Sequence, residues 1–325
     1  MPGPSPRNHA DPATENARCV QCHTSIASEW QGSLHRAAFE DPSFTRALGH
    51  EDTAFCRGCH APEADASQPP PKELAAIGVA CVTCHVPRGS KTILAGPSES
   101  GTKAPHPITR SADFATGAAC RNCHEFDFPD GRARLRPERM QLTMTEHEDA
   151  KKAGFALPSC NACHMPSVAG ARPHKSHAFP ASRSPAVLQQ AVRISARRSG
   201  DAIEIVLRRG DVAHAFPTGD LFRRLVVSAR LDGERDQVRY LARHFVERQE
   251  RPGVLVRVAG SDDRPFVNGE TERVVRFDLG PSATEKRATY RVVYQRVGEV
   301  MPGMDARANV EDAIELASGT LDGAQ

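Results

Sequence analysis

A chain of 325 residues has room for two domains. Its net charge of +2, with histidine neutral, excludes the basic excess of a nucleic-acid binder. Only 5% of the residues are aromatic, with a single Trp, so side chains alone are a thin source of core for a protein of this size.

Residues 1–18 are rich in Pro, Asn and Ala and read as an extended N-terminal arm. Residues 19–185 contain every cysteine. Short helices are expected there at Thr24–Ala38, Pro71–Ile77 and Glu138–Lys152, broken by Pro69-Pro70-Pro71 and Gly96-Pro97. None has the sustained periodicity of a helix bundle, so this part reads as short helices and loops organised by something other than helix packing. The pattern changes over residues 186–325. Apolar residues alternate in Ala191–Arg197, Ala202–Arg208, Arg224–Ala229, Gln237–Ala242, Glu272–Phe277 and Ala288–Tyr294, separated by turns such as Arg209-Gly210-Asp211 and Asp232-Gly233. Six or seven strands at this spacing predict an all-β, immunoglobulin-like sandwich. Glu311–Ala317 reads as a final helix and Ser318–Gln325 as a fraying tail.

The ten cysteines form five copies of one pattern: Cys19, Cys22 and His23; Cys56, Cys59 and His60; Cys81, Cys84 and His85; Cys120, Cys123 and His124; Cys160, Cys163 and His164. This is C-x-x-C-H, the attachment site of c-type haem, in which two thiols form thioethers and the adjacent histidine ligates iron. Histidine is 14 of 325 residues, so five such placements by chance have a probability on the order of 10⁻⁷. Paired cysteines also build zinc sites, but zinc demands no histidine after the second cysteine. A thioredoxin-like motif wants one pair beside a βαβ unit, which is absent. Five covalently bound haems are expected, roughly 30 residues of chain to each, and each supplies the flat apolar body that the aromatic content lacks.

Thioether attachment in bacteria takes place outside the cytoplasmic membrane, so a periplasmic or extracellular protein is expected. Met1-Pro-Gly-Pro-Ser-Pro-Arg has no apolar signal-peptide core, so a signal peptide is absent from this numbering, and no transmembrane run occurs.

Five histidines are thus proximal, and nine remain for the opposite iron faces. His35 follows Trp30 and Ser33 on an amphipathic turn. His106 is held in the rigid Pro105-His106-Pro107 loop. His147 lies in a short helix before the fifth motif. His174 and His177 follow the last motif at a spacing suited to two different irons, with His177 preferred. His214, in His214-Ala-Phe-Pro217-Thr218-Gly219, is either a ligand that staples the β-domain to the haem domain or a buried turn histidine. His50 and His244 read as ordinary solvated residues, and His9 lies on the arm. With histidines outnumbering vacancies, bis-His coordination and low potentials are the simpler expectation.

These residues resemble a family. Trp30-x-x-Ser33-x-His35, Cys59-His60-Ala61-Pro62, Gly78-Val79-x-Cys81 and His106-Pro107 are similar to the tetrahaem cytochrome c-554 type. Cys163-His164-Met165-Pro166 with Ser176-His177 resembles the terminal haem of pentahaem nitrite reductases and hydroxylamine oxidoreductases. His214–Arg224 resembles a β-domain appended to bacterial multihaem cytochromes. The resemblance implies that His35 and His106 are distal ligands and that the Cys56–His60 haem is five-coordinate; in the enzymatic alternative, Arg57 or Arg88 would be its neighbour.

Electron transfer between close haems is the leading functional expectation, with other cytochromes or a membrane quinol oxidoreductase as redox partners, and an enzyme the lesser one. The alternative is a nitrite, hydroxylamine or nitric oxide oxidoreductase at an open His60 iron. All five motifs end in His rather than the Lys typical of pentahaem nitrite reductases, and Tyr240, Tyr290 and Tyr294 all lie in the β-domain. A third reading, self-assembly into an extracellular filament, rests on His9 in the arm.

Overall fold

The structure, a computed structural model, describes residues 11–86, 92–97, 104–128, 138–170 and 172–323. His9 and Arg88 lie outside them. The chain divides into two compact units. One runs to Phe126 and resumes over Pro158–Ala181; the other comprises Asp127–Leu157 and everything from Ser182. The stretch before the fifth motif therefore groups with the C-terminal unit.

The first unit is made of short helices at Pro12–Cys22, Thr24–Gln31, Pro42–His50, Ala54–His60, Lys72–Ile77, Cys81–His85, Asp113–Thr116, Ala118–His124 and Cys160–His164. The arm expected to reach residue 18 is helical from Pro12: Asp11 accepts the Thr14 N–H at 3.0 Å, and Pro12 occupies the first turn, where its missing N–H costs nothing. Among the described residues, only Trp30 and Val82 are buried apolar side chains larger than alanine in this unit. A unit of this length cannot stand on so small a side-chain core.

The second unit is built from strands β1 Val192–Ser199, β2 Ala202–Arg209, β3 Arg224–Leu231, β4 Gln237–Leu241, β5 Arg243–Arg251, β6 Val254–Asp262, β7 Glu272–Asp278, β8 Ala288–Glu299 and β9 Asn309–Leu321. They form a four-stranded sheet in the order β4-β3-β8-β9, a three-stranded sheet β7-β2-β1 and a separate β5-β6 ribbon, all antiparallel. Ile203, Ile205 and Leu207 of β2 share one apolar cluster with Leu225 and Val227 of β3 and Val292 and Tyr294 of β8. Full burial of each such side chain is worth about 1.5–3 kcal/mol.

All six expected strands are present, with ends shifted by a few residues. Three expectations fail. Glu311–Ala317 is the middle of β9 rather than a helix, because antiparallel pairing with β8, interrupted by bulges, overrides local propensity. That pairing runs to Leu321, so the tail is ordered beyond Ser318. Glu138–Lys152 is a strand, Glu138–Leu142, followed by a helix, Thr143–Lys152. The β5-β6 ribbon went unforeseen because its charged residues obscure the alternation.

Arg264, 2% exposed, ties the Thr143–Lys152 helix into this unit. Its Nη2 donates to Glu146 and to Asp262, and its Nη1 to the Pro217 carbonyl, each at 2.7 Å. Thr218 Oγ1 donates to the other Glu146 oxygen at 2.6 Å. The peptide before Pro217 is cis. Glu146→Ala leaves the buried guanidinium with Asp262 as its remaining carboxylate and is expected to cost about 3 kcal/mol. Denaturant unfolding at unchanged slope checks this, and a loss under about 0.5 kcal/mol, ordinary for a surface substitution, contradicts it.

Candidate haem sites

Each C-x-x-C-H copy sits at the C-terminal end of a short helix. Four of the histidines are the last helical residue, and His23 is the C-cap of Pro12–Cys22. Residues i, i+3 and i+4 of a helix share one face, so both sulfurs and the imidazole of each motif project to the same side.

Three of the five adjacent histidines are oriented by a main-chain carbonyl. His60 Nδ1 donates to Ala38 at 2.7 Å, His85 Nδ1 to Leu94 at 2.6 Å and His164 Nδ1 to Pro180 at 3.0 Å. A carbonyl only accepts, so Nδ1 carries the proton and Nε2 the lone pair that a metal requires. Phe44 stacks on His60 with ring centroids 3.6 Å apart and planes within 6°, and Phe114 stacks on His85 at 5.1 Å.

Opposite three of these imidazoles stands a second one. The ring centroids of His23 and His106 are 6.3 Å apart, those of His35 and His124 6.1 Å, and those of His85 and His177 6.1 Å. An imidazole nitrogen sits about 2 Å from a bound metal, so two trans ligands of one ion have ring centres about 6 Å apart. The spacing is too long for ring stacking and suits an ion between the rings. Nδ1 of His106 is buried with no hydrogen-bond partner among the described residues. Such an orphaned nitrogen calls for an explanation, and a metal supplies one.

Neutral imidazoles are needed for ligation, and the surroundings enforce them. Desolvation, then the neighbouring His124, His177 and His164, lowers the pKa of half-buried His35 to about 3. Burial lowers His23, with His106 and Arg172 adding to the effect, and burial likewise lowers His177.

Main-chain contacts place the second imidazole of each pair. Ile93–Ala95 and Ile108–Arg110 form a short parallel pair; Ile93 N–H donates to Pro107, fixing the end of the His106 loop, and Leu94 is the acceptor for His85. Ser167–Val168 pairs with His174–Lys175, and Ser176 N–H donates to Pro166, which sets up His177. For His35, Trp30 Nε1 donates to the Val79 carbonyl at 2.8 Å while Val79 N–H donates to the His35 carbonyl at 2.8 Å. Gly78, at φ 51°, packs so closely there that a Cβ would stand 2.4 Å from the Arg36 carbonyl oxygen and 2.5 Å from that of His35.

The remaining candidates stand elsewhere. His174 has both ring nitrogens engaged, Nδ1 with the Arg172 carbonyl at 2.9 Å and Nε2 with Glu29 at 3.2 Å. Glu29 also accepts the His177 N–H at 2.8 Å, a placing role for which the sequence carried no signal. Buried His147 and half-buried His214 lie in the second unit, His214 with Nδ1 donating to the Ala215 carbonyl at 2.8 Å. His244 contacts Asp263 at 3.0 Å, in keeping with an ordinary hydrogen-bonding residue. Arg57 is buried, its guanidinium held by Asp52 and by the Ala66 carbonyl.

The cysteines themselves bring motifs together. Cys19 and Cys81 share a hydrogen bond that lowers the first thiol, to about 7, and raises the second; Cys59 and Cys123 share another with the same opposed effect. Cys120 is pushed up to about 12 by burial, then by Cys160 and Cys84. Paired thiols on one helical face, facing imidazoles and a nearly empty side-chain core all fit c-type haem.

Residues 18–86 match the family model described as cytochrome c554 and c-prime. No curated protein matches the chain. Among solved structures, a penta-heme cytochrome c552 from Thermochromatium tepidum is similar at TM-score 0.67 and 18% identity, over 95% of this chain and 98% of that one. A superoxide reductase from Nanoarchaeum equitans aligns over 41% of this chain and 94% of that one at 9% identity, with a TM-score of 0.21 that carries no argument. The first two findings support a multihaem cytochrome c. The family match spans the first three motifs, and the likeness over the whole chain is one of fold.

Gly78→Ala tests the clamp on His35. Its Cβ would overlap two carbonyl oxygens, so the His35 turn must move. The expected result is holoprotein with a lowered thermal midpoint and one haem altered in its absorption spectrum. A spectrum and midpoint equal to the parent's would contradict the clamp.

Proposed function

We propose that this protein is a pentahaem c-type cytochrome that carries electrons, with three of its irons held between the histidine pairs His23 and His106, His124 and His35, and His85 and His177. The facing of these rings at 6.1–6.3 Å carries the reading. His106 binds through its buried Nδ1, and His60 and His164 are the proximal ligands of the other two haems. Each bound haem supplies a one-electron couple. At these three sites the paired imidazoles would hold the iron from both sides, which would leave no coordination site for a substrate and would favour low potentials.

The thiol contacts describe the order in which the motifs neighbour one another. Cys19 of the first motif neighbours Cys81 of the third, and Cys59 of the second neighbours Cys123 of the fourth. The two sheets of the second unit, four and three antiparallel strands around one core, support an immunoglobulin-like sandwich. Thioether chemistry supports a periplasmic or extracellular location. Among the described residues no helix is long and apolar enough to cross a membrane. Other cytochromes or a quinol oxidoreductase are the redox partners this reading requires.

The protein matured with haem is expected to gain the mass of five cofactors. In paramagnetic resonance of the oxidised form, His35→Ala, His106→Ala and His177→Ala are each expected to convert one low-spin haem to high spin. Three variants with parental spectra would overturn the ligand assignment. A high-spin haem in the parent that binds nitric oxide or hydroxylamine and turns it over would replace the carrier reading with an enzymatic one.

A further inference from the structure

Phe179 has a φ of 47°. That is the left-handed region, which a bulky side chain rarely enters and keeps only where its surroundings demand it. Its ring meets His35 edge-on, with centroids 4.2 Å apart and planes at 74°. It meets His177 in the same manner at 5.7 Å and 79°. One aromatic edge therefore lies against the imidazoles that face His124 and His85.

The segment around it is tied down on both sides. Ser176 N–H donates to Pro166, His177 N–H to Glu29, and Ala178 N–H to Ser176 Oγ at 3.2 Å. His177 Nδ1 donates to the Lys175 carbonyl at 2.7 Å. The carbonyl of Pro180, the residue after Phe179, accepts from His164 Nδ1. Ser176–Pro180 thus carries His177, which faces His85, packs on His35, which faces His124, and accepts from His164. A ligating imidazole turns about its metal–nitrogen axis unless a partner at its edge or at its other nitrogen stops it. His177 has a partner at Nδ1, and His35 has the edge of Phe179.

We propose that Phe179 is a positioning residue that sets the ring orientations of His35 and His177 together, so that it couples the ligand sets of the third and fourth haems. The unusual backbone at Phe179 is what directs its side chain back between the two histidines. The proposal rests on the assignment of His35 and His177 as ligands.

The test uses oxidised holoprotein and compares Phe179→Leu, Phe179→Asn and Phe179→Tyr. Leucine removes the aromatic edge. Asparagine tolerates the left-handed backbone but has no ring. Tyrosine keeps the ring. In the Leu and Asn proteins, the two low-spin resonance signals identified by His35→Ala and His177→Ala are expected to move, and the midpoint potentials of those two haems to shift. The other haems keep parental signals, and the Tyr protein retains all of them. Parental spectra in the Leu protein overturn the proposal, as does a Tyr protein as altered as the Leu one. An Asn protein that matches the parent also overturns it, by showing that the backbone rather than the ring does the positioning. Should the Leu and Asn proteins fail to incorporate haem, Phe179→Trp, with a larger edge, must move the same two signals, and silence there is equally fatal. Failure of the underlying assignment looks different: His35→Ala and His177→Ala would then leave every haem low-spin.

Discussion

The peptide at Gly78-Val79 is packed against the turn that carries His35, and much of the first unit depends on that contact. Trp30 donates to the Val79 carbonyl, Val79 donates back to His35, and the absent Cβ of Gly78 lets the two backbones approach. Two residues later the third motif begins, and its Cys81 N–H donates to buried Asn16 in the helix of the first motif at 2.9 Å. A single close approach therefore sets the relation between the first motif, the third motif and the imidazole that faces the fourth. Displacing it costs more than one hydrogen bond, since both partners are main-chain segments with little freedom to adjust.

The two units solve the problem of stability by different means. In the second, leucine, isoleucine, valine and phenylalanine from both sheets form one apolar cluster, and burial of that surface is the main favourable term. The first has almost no such cluster, so its histidines are aimed by carbonyl oxygens at Ala38, Leu94, Pro180 and Lys175. Carbonyls suit the task because they fix the tautomer as well as the direction of the ring. The apolar bodies missing from that unit are those the thiols are placed to attach.

Legibility from the sequence varied with how local the cause was. The five attachment motifs could be read directly, because their spacing is a property of one helical turn. The six alternating strands were likewise visible, since a period of two reports a half-buried sheet face. Strand β9 was not: Glu311–Ala317 has helical neighbours in sequence and a strand partner in space, and the partner prevailed. The β5-β6 ribbon escaped for the related reason that much of it is exposed. Glu29 and Phe44 gave no warning at all, since a glutamate and a phenylalanine acquire their roles only beside His177 and His60.

By itself, the sequence determined the kind of cofactor the chain is suited to, the five C-x-x-C-H motifs and the alternating strands that follow them. These follow from covalent chemistry and short-range periodicity, which act within a few residues. Only the tertiary structure decided which of the spare histidines face the motif histidines. His106 reaches His23 across 83 positions and His35 reaches His124 across 89. His174 and His177, three residues apart, have different environments, one beside the Glu29 carboxylate and the other opposite His85. Which imidazole faces which depends on where distant backbones meet, and no local pattern encodes that meeting.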